Sequence, residues 1–279
     1  TNPGIKSRFP IHIRFPDYSI DELIKNISDD ELLNHIKVLS QWERLSGSDD
    51  EKKAFDYIEK VLGNIGINNT RYNANCYISI PLDSYLTYKG KRIKADAPSM
   101  SSKTPIEGIS AQAVRVKSLD IRDVLDLENK IAVIEGFAMP NTIEYLNASK
   151  CLGAVFIQSG EYVSKGILSP IWGSPSILDS HLLPKIPVIS INKKDGEDLI
   201  RYLEGDSNMI NISIDMDNGW REIPILISEV KSSTVDTDDY VLFSGHLDSW
   251  YYGAMDNGSA NASMLEIARL VKENQHLLK

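Results

Sequence analysis

Two stretches early in the chain repeat apolar residues at helical spacing. After Ser28 the set Leu32, Leu33, Ile36 and Leu39 falls on one face, and after Ser48 the set Ala54, Phe55, Ile58, Val61 and Leu62 does the same. Ser-x-x-Glu boxes introduce both (Ser28 to Glu31, Ser48 to Glu51), and a third box, Ser19 to Glu22, precedes them. In such a box the serine oxygen accepts an orphan backbone N–H of the first turn. Gly63 and Gly66 then stop the later helix. From about Asn69 to Ile80 the pattern turns extended, and Pro81 to Thr104, rich in Lys, Ser and Pro, shows no clear period. Short apolar runs at Ile131–Ile134, Ala154–Ile157 and Pro187–Ile191 alternate with helical segments that begin near Asn141 and Lys193, with Gly153 and Gly205 as helix stops. Beyond residue 222, Ile223–Val230 and Tyr240–Ser244 are predicted strands. Ser259–Lys272 is a predicted helix with Met264, Ile267, Ala268 and Val271 on one face.

These shifts of pattern divide the chain at about residues 81 and 222. The expectation is a split α/β domain, residues 1–80 and 223–279, with a compact α/β module of residues 81–222 inserted between its pieces. A length of 279 residues suits about two domains. Apolar residues at 42% and charged residues at 25% describe a globular chain and exclude a disordered or collagen-like one. The longest apolar stretches, Cys151–Ile157 and Trp250–Met255, fall far short of the ~18 residues that span a bilayer, so no transmembrane helix is expected.

The formal charge is −9, and no window gathers basic residues beside aromatics, which argues against nucleic acid as a partner. Cys76 and Cys151 have no CxxC spacing, so they predict two buried thiols rather than a disulfide framework or a cysteine zinc site. Six Asn-x-Ser/Thr sequons, Asn68 and Asn147 among them, lean toward a compartment outside the cytoplasm, although an Asn- and Ser-rich composition produces many of them by chance.

Chemistry concentrates in Gly245-His246-Leu247-Asp248-Ser249-Trp250-Tyr251-Tyr252-Gly253-Ala254-Met255-Asp256-Asn257-Gly258-Ser259, after a predicted strand and before a predicted helix. Loops at the carboxyl ends of strands in open α/β sheets are where ligands bind. A neutral imidazole (His246) and a carboxylate (Asp256) suit zinc, and Asp248 is placed to accept the other ring N–H of His246. A His-x-Asp at a strand end is by itself more often a satisfied polar pair. Trp250, Tyr251 and Tyr252 line a substrate pocket in one reading and serve as aromatic packing in the other. The other histidines, His12, His35, His181 and His276, lack a partner at ligand spacing and suit surface or packing roles. Glu266 stands three residues before Arg269, the spacing of a helical ion pair.

The Gly-His-x-Asp-Ser segment resembles the first metal motif of the co-catalytic zinc exopeptidases, the family of aminopeptidase S, aminopeptidase Y and glutamate carboxypeptidase. His246 and Asp256 lie ten residues apart, a short interval similar to the glutamate carboxypeptidase branch. The resemblance implies a terminal zinc ligand in His246, a carboxylate bridging two zinc ions in Asp256, and a partner for His246 in Asp248. It also implies a cis bond after Asp256. Arg44-Leu45-Ser46-Gly47-Ser48, with Glu51, Ala54 and Tyr57-Ile58, resembles the start of these peptidase domains. Asn129–Ile134, Ala148, Gly153-Ala154 and Ile186–Ile191 resemble a protease-associated domain.

The resemblance further implies a Glu-Glu pair that includes the general base, another acidic ligand and a final His, all beyond residue 279. The chain is therefore expected to be the N-terminal part of a dinuclear zinc exopeptidase acting on a peptide chain end, inactive alone, with a homodimer as the candidate assembly of the complete protein. The alternatives are a non-catalytic receptor-like homologue and an interaction module working through the protease-associated part.

Overall fold

A computed structural model of the protein describes residues 24–117, 127–171, 173–205, 208–236 and 238–277. The capping box at Ser19 and the histidine at His12 lie outside them. The chain divides into two compact units at Ala74/Asn75 and again at Glu222/Ile223.

In the unit formed by the chain's two ends, α1 (Asp29–Leu39) and α2 (Asp49–Asn64) start as their boxes predict. Ser28 and Ser48 accept the amides of Glu31 and Glu51 at 3.2 and 3.1 Å. Leu39 is buried as predicted, but the rest of the α1 face differs: Leu33 is exposed and His35 is buried. A histidine can take that place because its Nδ1 meets the Tyr57 hydroxyl at 2.7 Å. Leu39, Ala54, Phe55 and Leu247 form one cluster, with Leu62, Ile67 and Leu265 beside it and Leu226 touching both.

In the middle unit a hairpin is closed by Lys89-Gly90, both at positive φ. It joins β1 (Asn69–Tyr88) to β2 (Lys91–Lys94), so the segment after Pro81 that lacked periodicity begins as strand. Next come β3 (Ile109–Val116), β4 (Ile131–Glu135), α3 (Pro140–Ala148), β5 (Gly153–Ile157), β6 (Val188–Ile191), α4 (Lys193–Leu203) and β7 (Met209–Ser228). Among the described residues they make one seven-stranded mixed sheet in the order β2-β1-β7-β3-β4-β5-β6, parallel from β3 through β6. Alternate residues of β4 to β6 enter opposite layers, Ile131, Val133, Val155 and Ile189 with Leu199 of α4, and Ala132, Ile134, Phe156 and Val188 with Leu146 of α3. The left-handed residue after α3 is Lys150 (φ 58°), not Gly153. Gly153 is needed for space instead, since a Cβ there would lie 2.4 Å from Ile212 Cδ1.

Two further expectations change. Tyr240–Ser244 is not a strand; it finds no ladder partner among the described residues and Tyr240 to Phe243 stay exposed. In α5 (Ala260–Glu273) the buried stripe is Asn261, Ala262, Leu265, Glu266 and Leu270 rather than the Met264, Ile267, Ala268 and Val271 face. Hydropathy misplaces this face because two polar residues sit on it. Glu266 tolerates burial because Arg269 meets it at 2.6 and 2.9 Å and the Ser28 amide donates to it at 2.7 Å, which together hold its carboxyl below the ordinary value. Of the two thiols, Cys151 is buried and Cys76 only half-buried. No helix among the described residues is long and apolar enough to cross a membrane.

Candidate metal centre

The candidate residues converge in the loop between Ser244 and α5. His246 Nε2 stands 3.1 Å from Asp256 Oδ1, and its Nδ1 stands 3.1 Å from Asp248 Oδ1. Ligands about 2.0–2.2 Å from a tetrahedral zinc lie roughly 3.3 Å apart, so the imidazole and the Asp256 carboxylate fit two corners of one coordination sphere. Asp248 is held in turn by the Ser46 hydroxyl, which donates to its Oδ2 at 2.6 Å. A hydrogen-bonded chain thus runs from Ser46 through Asp248 to the ring of His246, fixing ring orientation as an outer partner of a metal ligand does.

The loop backbone has special geometry. A loose turn, Ala254–Ser259, leads into α5, with non-helical angles at Asp256 (φ −113°, ψ 94°) and Asn257 (φ −123°, ψ 29°). The Asp256–Asn257 bond is cis, as the resemblance implies. Gly253 has φ +48°, and a Cβ there would lie 2.3 Å from Ser249 Cβ and 2.6 Å from the Asp256 carbonyl oxygen, so the turn requires glycine.

Three further residues support the loop, and of these Asn261 was not legible in the motif. Asn261, buried on α5, donates through Nδ2 to the carbonyls of His246 and Asn257, both at 2.8 Å. Asn257 donates to the same His246 carbonyl at 3.2 Å. Glu51 accepts the Gly47 amide at 2.7 Å, and burial pushes its carboxyl up to about 7. Asn at the fourth residue after the loop asparagine was the available signal, since i, i+4 side chains share a helical face.

Trp250, Tyr251 and Tyr252 are partly exposed beside these groups, with relative exposures of 44, 40 and 57%. Glu266 stays paired with Arg269, away from metal duty. Among the described residues no cluster of three or more His, Cys, Asp or Glu side chains is placed to hold an ion, because Asp248 backs His246 instead of joining Asp256. A cavity of about 460 Å³ lies in the middle unit, between Glu135, Gln158, Lys193 and Glu197, and none of the candidate metal residues line it.

Residues 226–279, the stretch holding His246, Asp248 and Asp256, match Peptidase family M28. Over that stretch the chain is similar to the M28 peptidases. It is 28% identical over 256 residues to bovine carboxypeptidase Q, covering 82% of this chain and 52% of that protein. It is 27% identical over 233 residues to aminopeptidase YwaD of Bacillus subtilis, covering 82% and 48%. A solved zinc aminopeptidase from Bacillus subtilis shares the fold, with a TM-score of 0.66 at 22% identity over 86% of this chain and 57% of that one. The chain thus spans about half the length of the curated relatives it matches. Both aminopeptidases and carboxypeptidases of the family are among them.

Proposed function

We propose that this chain is the N-terminal part of a dinuclear zinc exopeptidase that hydrolyses the peptide bond at a chain end, and that the chain alone is inactive. The observation that carries this reading is the 3.1 Å approach of His246 Nε2 to Asp256 Oδ1, with Asp248 and Ser46 stacked behind the imidazole. In the proposal His246 and Asp256 would hold zinc, and Asp248 would accept from Nδ1 and orient the imidazole. Zinc, when bound there, supplies Lewis acidity toward the scissile carbonyl and acidifies the attacking water. Trp250, Tyr251 and Tyr252 would flank the terminal residue of the peptide. Catalytic zinc takes three protein ligands, so in this reading further donors and a general base would be needed beside His246 and Asp256. The middle unit would be a protease-associated insert.

The test joins the chain to the residues that follow it in its gene and assays free and end-blocked dipeptides. Hydrolysis confined to substrates with a free end, lost on chelation, restored by zinc and abolished in His246→Ala supports the proposal. Activity indifferent to chelator or to His246→Ala rejects it.

A further inference from the structure

The Arg44-Leu45-Ser46-Gly47-Ser48 segment contains a side chain whose placement a domain-start motif does not explain. Arg44 is fully buried, yet all five of its guanidinium contacts end on backbone carbonyls. Nε donates to Leu247 at 2.8 Å and Nη2 to Gly253 at 3.1 Å. Nη1 divides its hydrogens among Leu39, Trp42 at 3.3 Å and Tyr252 at 3.0 Å. The backbone adds two ties to one loop residue: the Ser249 amide donates to the Arg44 carbonyl at 2.8 Å, and the Arg44 amide reaches Ser249 Oγ at 3.4 Å. Burial pulls the guanidinium below its ordinary pKa while the nearby Asp248 carboxylate opposes the shift. A rigid, forked cation is suited to several carbonyls at fixed angles, which a lysine ammonium cannot match.

These ties grip the loop on both sides of the aromatic run, at Leu247 directly after His246 and at Tyr252 and Gly253 just before Asp256. We infer that Arg44 is the positioning residue of this site: by clamping Leu247, Tyr252 and Gly253 it sets where the His246 imidazole and the Asp256 carboxylate stand relative to each other. Two residues away, Ser46 orients Asp248, so a single short segment ahead of α2 positions both the loop and the partner of the imidazole. The inference rests on the metal reading of His246 and Asp256 for its purpose, while the clamp itself is a property of the chain as it stands.

The experiment uses this chain with Arg44→Lys and Arg44→Ala, and Ser46→Ala as a local control. Metal-free hydrogen exchange follows the Ser249 and Gly258 amides against those of α2 and α5. A zinc titration follows the His246 ring resonances. The expected result is exchange at Ser249 and Gly258 faster by at least ~10-fold with α2 unchanged, and zinc affinity at His246 lower by about 10-fold. Ser46→Ala should weaken zinc while leaving the Ser249 amide protected. Unchanged loop exchange in a folded Arg44→Lys overturns the inference. Uniform loss of protection in both Arg44 variants, with α2 and α5 exchanging as fast as the loop, also overturns it by assigning Arg44 to the core. If the His246 resonances of the wild-type chain ignore millimolar zinc, the exchange data alone decide: faster loop exchange in Arg44→Lys upholds the clamp and unchanged exchange overturns it.

Discussion

Glu51 joins two roles in one residue: its backbone amide completes the cap of α2, and its carboxylate accepts the Gly47 amide next to the segment that holds Asp248. Its pKa is raised to about 7, first by burial and then by Asp248, against the opposing pull of the Gly47 amide and Lys52. A raised folded-state pKa means that the folded form binds the proton more tightly than the unfolded one. The stabilisation is therefore complete below about pH 4.5 and is lost as pH rises through about 7, an effect on the order of 3 kcal/mol. Urea unfolding between pH 4.5 and 7.5 should show this decline, and Glu51→Gln should flatten it. Asp248→Asn should leave zinc bound by the longer protein but weaken it by about 10 to 100-fold, because it orients His246 without holding metal. His246→Ala should remove that site altogether, and calorimetry separates the two outcomes.

At the scale of elements, the helices that begin with a capping box were legible because the cap and the apolar period are both local. Ser48→Ala should lower the stability of the chain-ends unit by about 1 kcal/mol in urea melts, since the Glu51 amide loses its acceptor. The loop into α5 depends on Gly253, where an added Cβ meets backbone as well as side chain. Gly253→Ala should destabilise the loop by roughly 1–3 kcal/mol and weaken zinc together with it, readable by hydrogen exchange and titration. The buried face of α5 was hard to read because the partners that satisfy Asn261 and Glu266 inside include groups outside the helix, His246 and Ser28, as well as the nearby Asn257 and Arg269. Pattern reading assigns such residues to solvent until those partners are known.

Over the whole molecule, Tyr240, Val241, Leu242 and Phe243 leave a run of exposed apolar surface in the chain-ends unit, where Ile225 and Ile227 are also exposed. Contiguous apolar surface of this kind promotes association. The chain alone should show concentration-dependent association in light scattering and bind a hydrophobic dye, and Leu242→Lys should reduce both. A monodisperse chain that binds no dye would contradict this. A strand also needs a neighbour: the hydropathy of residues 240–244 suits a sheet, but among the described residues no ladder pairs that backbone.

The sequence by itself determined the pieces whose causes are local: capped helices at Ser28 and Ser48, the buried runs of β4 to β6, and the His246, Asp248 and Asp256 spacing of the candidate metal loop. Tertiary structure decided which faces are inside and how the loop is held. Arg44 shows why, since it lies about two hundred positions from the carbonyls of Leu247, Tyr252 and Gly253 that it grips. No local period encodes a hydrogen bond across that separation, because its energy depends on burial and on carbonyl directions that only the folded chain supplies.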